Sequence, residues 1–167
     1  MKSNPLLIPT VFVAGMTTLA IEVSAARLLG TVFGTSNIVW ANIIGLMLIY
    51  LSAGYFVGGR WADRSPRFDT MFGLIAWGSF TAGLVPMVAR PVLHQAALAV
   101  EKLDAVVMAG SFLSVLVLFS VPVTLLGCVS PFAIRLAITG PEQAGRVSGR
   151  IYATSTLGSI LGNFLPV

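Results

Sequence analysis

The chain has 167 residues, of which 56% are hydrophobic and only 10% charged, against about 25% charged in ordinary soluble domains. Together with a mean hydropathy of +0.92, this excludes a soluble globular domain and leaves an all-α integral membrane protein in contact with the lipid bilayer. The net charge of +4 does not indicate nucleic acid, because the basic residues stand singly between apolar runs and form no stripe.

Five apolar segments reach the roughly 18 to 20 residues that a crossing needs. They are 6–33, 38–57, 70–89, 105–128 and 150–167, and they predict one transmembrane helical domain, 1–167, of about five helices. The first run is too long for the apolar core of a cleaved signal peptide, so it is expected to stay as a membrane helix. It carries Glu22 and Arg27. Each costs about 2.5–3.5 kcal/mol at a helix centre and therefore faces a cavity or a partner. Their i to i+5 spacing sets them about 140° apart on the helix, a poor arrangement for pairing with each other. Arg27, near the helix end, can extend to the interface. Glu22 lies deeper, and two readings stand: a cation- or proton-binding carboxylate, or a carboxylate pinned by Arg27, Asn42 or a hydroxyl of another helix.

The second run opens with Asn37, Trp40 and Asn42. Trp40 suits an interfacial belt, and Asn42 suits either an interhelical hydrogen bond or substrate contact. The run ends in "GYFVGGRWADRSP", residues 54–66. A dinucleotide fingerprint needs a preceding strand, and a phosphate-binding loop needs a Gly-Lys-Ser/Thr ending. Neither context is present. A cytoplasmic corner between two membrane helices fits instead, with Gly54 and Gly58 allowing close helix packing.

Between the third and fourth runs, Val92, Ala96, Val100 and Leu103 recur at helical spacing, which predicts a short interfacial helix over 92–103. In the fourth run Pro122 and Pro131 predict a kink near Pro122 and a break near "CVSPF", serving either as a gating hinge or as a static bend. The fifth run spans 18 residues, about 27 Å at 1.5 Å per residue. With no polar anchor after Val167, the expectation is a piece of something longer or a helix completed by a partner. Gly158 and Gly162 on this run have the GxxxG spacing of a helix-packing face.

Orientation follows from the basic residues. With the N-terminus cytoplasmic, the inner side holds Lys2, Arg60, Arg64, Arg67, Arg135, Arg146 and Arg150, and the outer side only Arg90 and Lys102. Seven against two places the N-terminus inside. A single cysteine, Cys128, and a single histidine, His94, leave no disulfide and no cysteine or histidine cluster for a metal, and no cofactor motif is present.

The loop after the second run resembles the signature loop between helices 2 and 3 of the major facilitator superfamily. The matching residues are Gly59, Asp63, Arg64 and Arg67, with Trp61, Pro66 and Phe68 as departures. The resemblance implies a gating role in which the carboxylate pairs across a cytoplasmic seam; a plain positive-inside anchor is the other reading. Four ordered blocks go further: "EVSAARLLGTVFGTSNIVWANIIG" (22–45), "LSAGYFVGGRWADRSP" (51–66), "SPFAIRLA" (130–137) and "GRIYATSTLGSILGNFLP" (149–166). They resemble the N-terminal membrane region of spermidine synthase-like membrane proteins, in which a half-facilitator bundle commonly precedes a soluble aminopropyltransferase domain. That soluble domain and a sixth helix are absent from this sequence. The resemblance therefore implies a facilitator half-like fold, a bacterial inner (plasma) membrane setting and a neighbourhood of polyamines or other small cations, without catalysis. Two functions follow as expectations. One is a half-transporter acting as a homodimer, since two halves enclose a midplane site. The other is a structural subunit packed against a larger membrane complex. An enzyme's membrane anchor would need the missing soluble domain.

Overall fold

A computed structural model describes residues 5–100 and 104–166, with side chains at 5–96 and 108–166. The described chain is entirely helical: α1 (Leu7–Phe33), α2 (Asn37–Arg64), α3 (Phe68–Val100), α4 (Asp104–Gly127), α5 (Val129–Ala137), a 3-10 turn (Pro141–Gln143) and α6 (Ala144–Phe164). By length and composition four stretches are able to cross a membrane: Leu7–Phe33, Asn37–Arg64, Phe68–Ala96 and Met108–Ala137. The chain is thus an all-α integral membrane protein. In α6, Arg, Ser, Thr and Asn dilute the apolar residues.

Local chemistry sets the ends of these helices. Gly34 closes α1 with φ 76°, a left-handed conformation that costs glycine no Cβ clash. Two residues later Ser36 opens α2, its Oγ accepting a hydrogen bond from the Val39 amide at 3.4 Å, an ordinary N-cap. Ser65 ends α2 with φ −145° and ψ 74°, outside the helical region that Pro66 disfavours for the residue before it.

Two boundaries differ from the sequence reading, and a third agrees with it. The helix α2 runs to Arg64, so Gly58, Gly59, Asp63 and Arg64 lie on its last turns and only 65–67 form the corner. The residues 92–100 continue α3 instead of forming a separate interfacial helix. The reason is packing: Leu93 is buried in the core and Val92 and Ala96 pack against it, so the apolar face of this stretch turns to protein and not to the interface. The far end of that predicted helix, Lys102 and Leu103, lies outside the described residues, as does Lys2. Finally, the helix is continuous through Pro122, and its interruption falls at Cys128, within the "CVSPF" stretch where the sequence predicts it. Pro131 explains the place: it has no amide hydrogen for the Gly127 carbonyl, and its ring crowds that carbonyl.

Two apolar clusters mark the two ends of the bundle. One gathers Leu7 and Val11 of α1, Ala62 of α2, Met71 and Leu74 of α3, Phe132 and Ala133 of α5 and Ile151 of α6. It joins the start of α1, the end of α2 and the start of α6, which is where Arg60, Arg64, Arg67, Arg135, Arg146 and Arg150 stand. The other gathers Leu29 and Phe33 of α1, Ile43 and Met47 of α2, Leu93 of α3 and Phe119 of α4.

The tightest contact is between α1 and α6, which run parallel: Gly158 lies by Phe12 and Gly162 by Met16. A Cβ on Gly158 would meet the Phe12 carbonyl, one on Gly162 the Met16 carbonyl, and one on Gly15 the Ser155 carbonyl. The Ser159 hydroxyl donates to the Gly15 carbonyl at 3.1 Å across the same seam. A second close crossing joins α2 to α4, where a Cβ on Gly54 would lie 2.9 Å from the Gly127 Cα and one on Gly58 2.6 Å from the Cys128 Cα. The pairs Gly158/Gly162 and Gly54/Gly58 are therefore both used within this one chain.

Alanine at Gly158 or Gly162 is expected to lower thermal stability in detergent by about 1–3 kcal/mol, the usual cost of overpacking. Gly145→Ala and Gly149→Ala on the same helix, where a Cβ meets nothing within 4 Å, should be neutral or slightly stabilising by helix propensity. Equal melting temperatures for the two pairs would contradict the close crossing.

Candidate functional site

Midway along α1, Glu22 lines a half-open cavity of about 110 Å³ between α1, α2, α6 and the α4–α5 break. The wall contains Thr18 from α1, Tyr55 from α2, Ser130 from α5, and Ser155 and Ser159 from α6, together with Gly15 and Gly127. The lining thus combines one carboxylate with five hydroxyl-bearing side chains. The glycine crossing of α1 on α6 holds the two serines beside the Glu22 side of α1, and the break after Gly127 turns α5 so that Ser130 joins them. Two hydroxyls are already engaged as donors, Thr18 to the Ala14 carbonyl at 2.9 Å and Ser159 to the Gly15 carbonyl; their oxygens remain free to accept or to ligate.

Glu22 takes part in neither of the two ion pairs among the described residues. Arg27 is exposed, as its spacing from Glu22 leads one to expect, and does not line the cavity. Asn42 lies elsewhere too: its side-chain amide donates to the Met108 carbonyl at 3.0 Å and to the Ser111 Oγ at 2.8 Å. It ties α2 to α4, a bond of the interhelical kind that contributes about 0.6 to 1.7 kcal/mol within a membrane. The three residues singled out together from the sequence are therefore dispersed, and only Glu22 belongs to the cavity.

The corner after α2 has its own geometry. Asp63 pairs with Arg135 of α5, Oδ1 to Nε at 3.2 Å, so the carboxylate reaches across from one helix end to another. Arg67 pairs locally with Asp69 at 3.4 Å. Arg60 covers the Phe56 ring at 5.1 Å, and Trp61 meets the buried Phe132 edge-on at 6.2 Å between centroids. Trp61, a departure from the facilitator pattern, thus anchors the α2 end on α5. Gly59 lies 3.9 Å from Pro131, measured from a would-be Cβ, so the α2 end also packs along the start of α5.

Sequence reasoning missed the serines. Ser155 and Ser159 share a face with Gly158 and Gly162, and the interleaving of small and hydroxyl residues was the available signal. Ser130 could be placed only once the break at Cys128 was known.

No family model matches the chain, and neither a curated protein nor a solved structure matches it. What the fold and the site define is a class: a helix bundle with four stretches able to cross a membrane and a polar, carboxylate-bearing cavity midway along its first helix.

Both partners of the Asp63–Arg135 pair are well exposed, so its contribution to stability should be small. A double-mutant cycle with Asp63→Asn and Arg135→Gln, read by thermal unfolding, is expected to give a coupling below about 1 kcal/mol. A larger value would mean that the corner is a structural clamp and not an easily broken contact.

Proposed function

We propose that this chain is a half-transporter-like bundle that handles small cations, with polyamines as the class its family resemblance implies, and that it carries no catalytic chemistry of its own. One observation carries the reading: Glu22 lies near the middle of a membrane helix, on the wall of a hydroxyl-rich cavity, with no ion-pair partner among the described residues. A charge held at that depth is costly and is retained chiefly for pathways, relays and ligand counter-ions. The cavity is half-open, and a polar opening in hydrocarbon needs protein or water over it. A second copy supplies that cover, as two halves do around a midplane site.

The arginine-rich end of the bundle, which also holds the start of α1, faces the cytoplasm of a bacterial inner membrane under the positive-inside rule. The Asp63–Arg135 pair at that end fits a contact made in one conformation and released in another.

Reconstituted in proteoliposomes, the wild-type protein should take up labelled polyamine, and Glu22→Gln should abolish uptake while keeping helical content and oligomeric state. Uptake that is unchanged in Glu22→Gln, no uptake by a well-folded dimer, or stoichiometric co-purification with a larger complex would each overturn the reading. Orientation has a separate check. Glu142→Cys, in the exposed turn before α6, should react with an impermeant maleimide only after the cytoplasmic face is opened, the native Cys128 being buried. Reaction from the outside would reverse the orientation.

A further inference from the structure

We propose that the Glu22 cavity is a site for a single monovalent alkali cation, with sodium as the probe, and that an organic polycation binds elsewhere. The inference rests on the reading of Glu22 as a cation-binding group and sharpens it by size, charge and donor chemistry.

Size comes first. At about 110 Å³ the cavity is smaller than the roughly 150 Å³ that accommodates benzene in an apolar site. An extended polyamine, longer and bulkier than benzene, is not enclosed by a half-open space of this size, whereas a small inorganic ion with one or two waters is. Charge comes second. Among the described residues no Lys, Arg or His lines the wall, and Glu22 is the one acidic residue on it. One carboxylate balances one positive charge. No group of three or more His, Cys, Asp or Glu comes together among the described residues, so the donor set suits neither a transition metal nor a fully protein-ligated divalent ion.

Donor chemistry comes third. The polar groups on the wall are oxygens: the Glu22 carboxylate and the hydroxyls of Thr18, Tyr55, Ser130, Ser155 and Ser159. Hard cations take such oxygen ligands. A second, independent feature points the same way. The helix is broken at Cys128 beside the cavity, and Gly127, a lining residue, has a carbonyl to which Pro131 has no amide hydrogen to donate. The interruption is a single residue that keeps helical φ and ψ (−64° and −20°), so what it offers a cation is the Gly127 carbonyl and not an unwound segment. Interrupted membrane helices supply carbonyls to alkali ions in transport proteins. Here the break, the carboxylate and the α6 serines converge on one small space.

The test is equilibrium binding of radiolabelled sodium to the intact purified protein, at constant ionic strength with choline as the balancing cation. Saturable binding at about one ion per chain is expected, weakened at least about ten-fold by Glu22→Gln and by Ser130→Ala. If Glu22→Gln fails to fold, Ser155→Ala combined with Ser130→Ala provides the same readout without touching the carboxylate. Absence of saturable binding by the wild-type protein would overturn the proposal, as would wild-type affinity in the serine variants. Competitive displacement of sodium by spermidine would overturn the size argument while leaving Glu22 as a cation site. Sodium binding without any polyamine uptake would support the proposal and overturn the transport reading instead, so the two fail separately.

Discussion

The parallel contact of α1 with α6 is the constraint on which the site depends. In hydrocarbon, apolar side chains gain little by leaving lipid for protein, so helices associate through close van der Waals packing and hydrogen bonds. Gly15, Gly158 and Gly162 let the two backbones touch, and the Ser159 hydroxyl donates across the seam to the Gly15 carbonyl. With α6 pressed against α1 in this register, Ser155 and Ser159 stand in the same cavity wall as Glu22. A looser crossing would separate the serines from the carboxylate and admit lipid between them.

The α2–α4 contact plays the corresponding part on the other side. Gly54 and Gly58 bring α2 against Gly127 and Cys128, at the place where Pro131 breaks the helix. The break has two consequences. It places Ser130 in the cavity wall, and it gives α5 a separate start from which Arg135 reaches Asp63. The cavity and the charged corner thus lie at the two ends of one short helix. A shift of α5 would be felt at both, which gives the bundle a physical route between them.

Much of the fold was legible in the sequence. Composition and run length gave the membrane class and the approximate place of the helices. What misled was the treatment of local signals as boundaries. The glycine cluster before Arg60 read as a loop, yet α2 runs through it because those glycines face α4 and α5. The amphipathic spacing after Arg90 read as an interfacial helix, yet Val92, Leu93 and Ala96 are taken up by the core. Each time a tertiary contact supplied the partner that the local reading had assigned to solvent or interface. The candidate site was legible in one residue only, Glu22, because a charge inside a 27-residue helix stands out without any knowledge of neighbours. Asn42 and Arg27 looked equally polar, but position alone cannot tell an interhelical bond or a surface cation from a cavity wall.

By itself, the sequence determined the number of apolar runs, the asymmetry of the arginines and the positions where glycine and proline constrain the backbone. These are properties of single residues and their spacing, so they need no fold to act. Only the tertiary structure decided that α6 lies parallel to α1, that Asp63 meets Arg135, and that Glu22 shares a cavity with serines more than 100 residues away. The physical reason is that a cavity is a property of several helices at once. Its size and lining are set by how closely the backbones approach, and that distance is written in no single stretch of the chain.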